Sequence, residues 1–295
     1  MKHNIISLLF VLFSGCLLPS CTNDESNPDS PTGKLPMEFS FFHPSMKRAT
    51  DTAFEEGDKV GLFVAEEGSV LEIGGNVVNN ELLTLNGTSW KSRNPLFWDA
   101  GKYNAYSYFP YQPTVSSVTD LPFSVSLDQS QGEDADGLTG YEASDFLFAS
   151  AKGLTASANP VGLQFRHIMS KLTIRLIKGE DFEGDLPEKA TVFLHNTVTS
   201  ATIDLSAGIA TKETKGKKQT ITARQDSPTL FSVITVPQRL DNRVPLIEVV
   251  MNGVSFLFES KFLFKPGTNH LVNLIIDKNP EQVKIEIGGE ITDWN

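Results

Sequence analysis

Side chains able to do chemistry are sparse in this chain, and their spacing does not gather them. His43, His167, His195 and His270 are scattered, with no metal-ligand partner at helical or strand spacing, and His3 lies in the leading apolar segment. His167 and His195 flank apolar residues, which suits hydrogen-bonded structural imidazoles better than ligands. The stretch Asp128–Asp136 carries Asp128, Glu133, Asp134 and Asp136 ahead of Gly137. A calcium loop there would place Gly132 at its first ligand position and Ala143 at its twelfth, so a solvated acidic loop is expected. There is no GxSxG, HExxH, CxxC, phosphate-binding loop or GxGxxG. The expectation is no catalytic residue, no metal and no cofactor, hence not an enzyme. Lys215–Lys218 is a short basic run suited to an exposed hairpin turn.

The position with the most definite chemistry is a thiol. Lys2 precedes an apolar run from Ile5 to Leu18, interrupted by Ser7, Ser14, Gly15 and Cys16. At about 14 residues it is shorter than the ~20 that a membrane-spanning helix needs, so it predicts a secretory signal. The run ends in Leu18-Pro19-Ser20-Cys21, which resembles the bacterial lipobox and makes Cys21 the expected lipidated N-terminus. Phe13-Ser14-Gly15-Cys16 is a second match, with Phe at the key position and two leucines left after the lipid. The other reading of this end is an ordinary secreted protein cut nearby. Residues 1–20 are thus read as signal and 21–36 as a polar, Pro- and Ser-rich tether. Asp24 and Glu25 resemble the acidic signal that sends some lipoproteins to the outer face of the outer membrane. Asn86-Gly87-Thr88 fits a glycosylation sequon, read as chance behind a lipobox.

Composition bounds the rest. The 295 residues are 40% hydrophobic and 21% charged, enough apolar material for one large or two ordinary domains. The net charge of 25 − 36 = −11 argues against general affinity for nucleic-acid phosphates. Both cysteines fall in the first 21 residues, so neither a disulfide scaffold nor thiol catalysis is expected of the fold.

The elements read as strands. Val60, Leu62 and Val64 share one face, with Gly61, Phe63 and Ala65 on the other. Leu121, Phe123, Val125 and Leu127 are in phase, as are Phe256, Phe258, Phe262 and Phe264, then Val272, Leu274 and Ile276, then Val283, Ile285 and Ile287. A period of two puts each set on one face of a strand. Asn252-Gly253, between two such runs, predicts a type I′ hairpin. Leu163, Phe165 and His167 are out of phase with Leu172, Ile174 and Leu176, so a bulge or turn near His167–Ser170 must intervene. A domain crossing is placed there, giving β-sandwiches over 37–165 and 166–295. The cluster Phe97, Trp98, Tyr103, Tyr106, Tyr108, Phe109 and Tyr111 has two readings, a sugar-stacking surface or a core strand with its aromatic ladder.

Several stretches together resemble the fimbrillin family of bacterial pilus proteins. They are Arg48-Ala49-Thr50 with Phe54-Glu55-Glu56-Gly57-Asp58-Lys59-Val60-Gly61-Leu62-Phe63, then Phe97-Trp98-Asp99 with Tyr103–Tyr111. Ser144-Asp145-Phe146-Leu147-Phe148-Ala149, Leu163–Leu172, Phe264–His270 and Ile291-Thr292-Asp293-Trp294 follow in the same order. The resemblance implies an all-β protein of two transthyretin-like antiparallel β-sandwich domains in tandem. It implies export as an outer-membrane lipoprotein, cleavage after an Arg by a trypsin-like protease, and assembly with other fimbrial subunits at the cell surface, supporting adhesion.

The residues permit that sequence of events. Met37-Glu38-Phe39-Ser40-Phe41-Phe42 reads as a first strand, with Met37, Phe39 and Phe41 filling a groove. Lys47-Arg48-Ala49 follows, and cutting between Arg48 and Ala49 would free that strand and the lipid. An uncovered edge is a template for a strand of another chain. The candidate donor is Val283, Ile285, Ile287 and Ile291, and the alternative is that this segment is the last strand of its own domain. Shaft, tip and anchor roles all stay open. A different class of reading is a monomeric surface lipoprotein that binds a glycan or host ligand through the aromatic cluster.

Overall fold

The computed structural model describes residues 33–44, 53–135, 137–279 and 284–292. Nearly every regular element among them is a strand, the exception being a single 3-10 turn at Glu142–Ser144. The first half contributes β1 (Phe39–Phe42), β2 (Lys59–Glu66), β3 (Val78–Asn86), β4 (Ser89–Ser92), β5 (Tyr103–Phe109), β6 (Leu121–Ser124), β7 (Leu147–Leu154), β8 (Val161–Gln164) and β9 (Arg166–His167). The second contributes β10 (Ser170–Lys178), β11 (Thr191–Val198), β12 (Ser200–Asp204), β13 (Ile209–Lys212), β14 (Lys218–Thr222), β15 (Arg224–Ser227), β16 (Leu230–Thr235), β17 (Gln238–Met251), β18 (Val254–Phe264), β19 (Thr268–Ile276) and β20 (Lys284–Thr292).

A six-stranded antiparallel sheet runs β4-β3-β2-β5-β7-β9. Its β2 is buried on both faces, as its run of apolar residues requires. Val60, Leu62 and Val64 enter a core drawn wholly from residues between Leu35 and Phe165, while Phe63 and Ala65 enter a larger core that extends to Ile276. Gly61 leaves room for its β5 neighbour: a Cβ there would lie 2.2 Å from the buried Tyr108 ring.

The second half forms a five-stranded sheet, β15-β16-β10-β19-β20, and a four-stranded one, β14-β11-β17-β18. Within the first, β10 and β19 are parallel and the other pairs antiparallel. The phase break near His167 is a change of sheet: β9 closes the six-stranded sheet and β10 starts the five-stranded one. The Asn252-Gly253 hairpin forms between β17 and β18, with both residues at positive φ, 50° and 77°.

The two halves share hydrogen bonds. β6 of the first half joins β12 and β13 of the second in a three-stranded sheet. Gln129 adds a second link. β15 pairs with β16 only as far as Ser232, and beyond it the fully buried Gln129 side chain takes the strand's place. Its Nε2 donates to Ile234 O at 2.7 Å and its Oε1 accepts from Ile234 N at 2.8 Å. Gln238 does the same for Val198, with bonds of 2.9 Å to its N and O. Buried backbone groups left without partners cost about 1–3 kcal/mol each. Gln129→Ala therefore should lose about 2–4 kcal/mol in urea unfolding, because two buried groups of Ile234 lose their partner at once.

Candidate functional site

The segment 35–44 runs past the 96–98 loop at its start and then along β8. On one side Met37 N donates to Leu96 O and Trp98 N donates to Leu35 O, both at 2.8 Å. On the other, β1 lies parallel to β8, with Phe39 opposite Val161 and Phe42 opposite Gln164. There Val161 N donates to Glu38 O and Phe165 N to Phe42 O, both at 2.9 Å. The Gln164 side chain also donates to Phe42 O and His43 O, at 3.2 and 3.1 Å.

The alternation of the sequence decides what this segment buries. Met37, Phe39 and Phe41 point inward and are 4–6% exposed, while Phe42 is 53% exposed. Phe39 stacks on Phe41 and approaches Trp98, with centroids 6.2 and 6.5 Å apart. Phe41 meets Trp90 edge-on at 5.0 Å and Phe165 at 5.8 Å. Burial of three such side chains is worth roughly 5–9 kcal/mol, so the seat strongly favours being filled. Trp98 Nε1 is buried there without a hydrogen-bond partner among the described residues.

The aromatic run is core. Trp98, Tyr103, Tyr106, Tyr108 and Phe109 are buried, and Phe97 and Tyr111 are half-buried. Of its two readings, the core strand with its aromatic ladder is the one the five buried rings support, because they face the two cores. β5 also explains the spacing: it is central, so successive residues enter opposite cores.

Beside the seat lies a cleft of about 310 Å³ whose lining includes Phe54, Asp58, Phe109, Glu133, Glu142 and Asp145. Asp58 Oδ2 accepts from Glu55 N at 2.7 Å. Burial is the largest influence on its carboxyl and holds its pKa above the ordinary aspartate value, with Glu142 and Glu55 adding repulsion. Among the described residues no three His, Cys, Asp or Glu side chains are placed to hold a metal. His167 is buried against Asp145, with Nδ1 3.0 Å from Oδ1 and 2.8 Å from Oδ2. His195 bridges Thr220 and Glu248 at 2.8 and 2.9 Å on an outer sheet face. Asp128 binds Ser130 and Gln131 through its own carboxylate, which lowers its pKa.

The last described strand lies at a sheet edge. β20 is the outer strand of the five-stranded sheet, antiparallel to β19, with Val272 opposite Ile287 and Asn269 opposite Ile291. Ile285 packs half-buried against the larger core. The ladder slips between Leu271 and Val272, beside Gly288 and Gly289, the latter at φ 128°. The structure therefore brings Met37, Phe39 and Phe41 together and holds Ile285, Ile287 and Ile291 in a separate sheet. Cys21, Arg48, Ala49 and Val283 lie outside the described residues. Sequence reading missed the partners of β1. Its pairing with Val161–Gln164 spans about 120 positions, and only the alternation within that short run hinted at a strand.

The family model described as fimbrillin-like matches residues 48–294. A candidate fimbrium subunit, Fim1C of Bacteroides uniformis, is 24% identical over 304 aligned residues, covering 98% of this chain and 94% of that protein. A candidate fimbrium tip subunit, Fim1C of Bacteroides ovatus, is 29% identical over 136 residues, 42% of this chain and only 24% of that protein's length. Among solved structures, a candidate cell adhesion protein from Bacteroides ovatus superposes with a TM-score of 0.70 at 19% identity, covering 89% of this chain and 98% of the other. A second, from Bacteroides uniformis, gives 0.68 at 20% identity, covering 90% and 100%. At these identities the structures speak for a shared fold.

Two outcomes follow from the seat and the cleft. Phe39→Ala should lower stability by about 3–5 kcal/mol in urea unfolding, the cost of a large cavity in a packed core. For Asp58, the raised native pKa means the folded state holds its proton more tightly. The group's contribution to stability therefore falls as pH rises through that pKa. Asp58→Asn keeps the oxygen that Glu55 N bonds and loses the charge. It should flatten the fall in stability as pH rises above the ordinary aspartate range and leave the protein at least as stable at pH 7, by urea unfolding at each pH.

Proposed function

The chain belongs to the fimbrillin-like family, and from that membership we propose that it is a structural subunit of a cell-surface fimbria, polymerised by strand exchange. The observation that carries this reading is the seat of 35–42: a short N-terminal segment, hydrogen-bonded to 96–98 through Leu35 and Met37 and to β8 through Glu38 and β1, plugging the smaller core with three apolar side chains. In the proposal the chain is lipidated at Cys21 and held at the outer membrane by residues 21–36. A trypsin-like, Arg-specific protease then cuts between Arg48 and Ala49, six positions after Phe42. Loss of 35–42 leaves the Trp98, Val161 and Phe165 amides without partners and the floor formed by Trp90, Leu163 and Phe165 open.

A strand from another subunit refills the seat. The segment Val283, Ile285, Ile287 and Ile291 is the proposed donor. Its described part is an outer strand held by one neighbour and interrupted by two glycines, so only one ladder must open to release it. Donor and seat lie at different places on the chain, so the contact is head-to-tail and extends into a fibre. Two transthyretin-like sandwiches in tandem, 37–165 and 166–295, belong to the same proposal. A core made only of residues from Leu35 to Phe165 supports the first of them.

The test is processing. Arg48→Ala should leave the precursor uncut by a trypsin-like protease and abolish fibres in electron micrographs, while the uncleaved protein stays folded by circular dichroism. Fibres of ordinary length from that variant would remove Arg48 as the processing site.

A further inference from the structure

The sheet edges of this protein are unequal. β4, β13 and β15 are four residues long and β9 two. The outer side of β14 is occupied at Thr222, whose N donates to Leu127 O at 2.8 Å and whose O accepts from Gln129 N at 3.0 Å. β20 is broken by its glycine irregularity. β18 differs: it is an edge strand of 11 residues, and among the described residues β17 is its one ladder partner. The shifts in that ladder fall between residues of β17, around Leu240–Val244 and Pro245–Ile247, so β18 itself is continuous. Long apolar edges invite pairing, and proteins usually shorten or interrupt them.

The residues along β18 specify a partner. Leu257-Phe258-Glu259-Ser260-Lys261-Phe262-Leu263 reads the same in both directions about Ser260, except that Glu259 is mirrored by the opposite charge of Lys261. Outward-facing Leu257 and Leu263 are each 43% exposed, and Phe258 and Phe262 are buried inward. In an antiparallel pair related by a two-fold axis through Ser260, Leu257 lies opposite Leu263 and Glu259 opposite Lys261, each twice. On the inner face Phe258 lies opposite Phe262. Directly opposed side chains in such a pair sit about 4.5–5.5 Å apart, where apolar and opposite-charge partners attract. Moving the axis by one residue sets Glu259 against itself or Lys261 against itself, so the register is specified by charge.

We propose that β18 is a self-recognition edge, pairing antiparallel with β18 of a second copy of this chain to join two four-stranded sheets into one of eight. The contact is isologous and closed, because each copy offers the same strand to the other. It is therefore a different kind of contact from the head-to-tail one of fibre growth, and it uses neither β1 nor β20. Two surface interactions stand in its place in the single chain: Arg243 Nε lies 3.4 Å from Glu259 Oε2, and Ser260 Oγ donates to Lys261 O at 2.8 Å. The first joins well-exposed side chains, a class of contact that contributes little, and a carbonyl has a second lone pair to offer.

The test is a charge swap in the full chain, read by sedimentation velocity across a concentration series. Dimerisation is expected, with Glu259→Lys or Lys261→Glu alone weakening it about ten-fold, since each change turns two attractive cross-strand pairs repulsive. The double variant, Glu259→Lys with Lys261→Glu, restores complementarity and should recover most of the affinity. Ser260→Cys should give, on mild oxidation, a disulfide between the two 260 positions, assigned by peptide mass spectrometry to distinguish it from Cys16 and Cys21. A chain that stays monomeric throughout the series overturns the proposal. So does a dimer indifferent to the single charge changes, or a failure of the double variant to recover while it remains folded by circular dichroism.

Discussion

A parallel strand pair that closes across some 120 residues of chain governs the smaller core of this protein. β1 is four residues long and pairs with β8, and the two bonds that hold its approach to the 96–98 segment come from Leu35 and Met37, just before it. A strand so short has little stability of its own, since an isolated pair of strands is marginal in water. It is kept in place by Met37, Phe39 and Phe41, whose burial exceeds what the few hydrogen bonds contribute. The same side chains leave the core incomplete when the strand is absent. That coupling of a short segment to a large buried surface is the feature on which the proposed strand exchange rests.

The remainder of the fold resists being separated into independent parts. β6 crosses into the sheet of β12 and β13, and the Gln129 side chain acts as a substitute strand residue for Ile234. Both devices satisfy backbone groups where a sheet runs out of partners, which is the recurrent problem of an all-β protein. The five sheets among the described residues have many ends, and most are short or occupied. The contrast between those ends and the open side of β18 gives the latter its interest, because its residue pattern accommodates a copy of itself without a charge clash.

The histidines show how a polar side chain in a strand protein finds its role. His167 and His195 each pair with a carboxylate, Asp145 and Glu248, drawn from elements far away in sequence. Neither pairing has a spacing that a motif would display. The imidazoles complete hydrogen-bonded pairs between separate elements, which is sufficient reason for their presence in a family of fimbrial, non-enzymatic proteins.

How much of this was legible beforehand follows from the range of each interaction. Strand identity is local: period-two alternation at Val60–Val64, Phe256–Phe264 and Val272–Ile276 marks buried faces, and Asn252-Gly253 marks its own hairpin through positive φ. The phase reversal after His167 was visible for the same reason, although its cause, a change of sheet, was not. The aromatic run left two readings, since rings at alternate positions suit a wet face or a dry one equally, and only the central position of β5 between two cores makes both faces dry. Pairing partners were beyond sequence altogether. Backbone hydrogen bonds carry no side-chain signature, so nothing in Phe39–Phe42 announces Val161–Gln164, and nothing in Gln129 announces Ile234. The sequence by itself determined that this is a strand protein and which faces of its strands are apolar; tertiary structure alone decided which strands meet, because that choice belongs to the backbone and to distances no local pattern encodes.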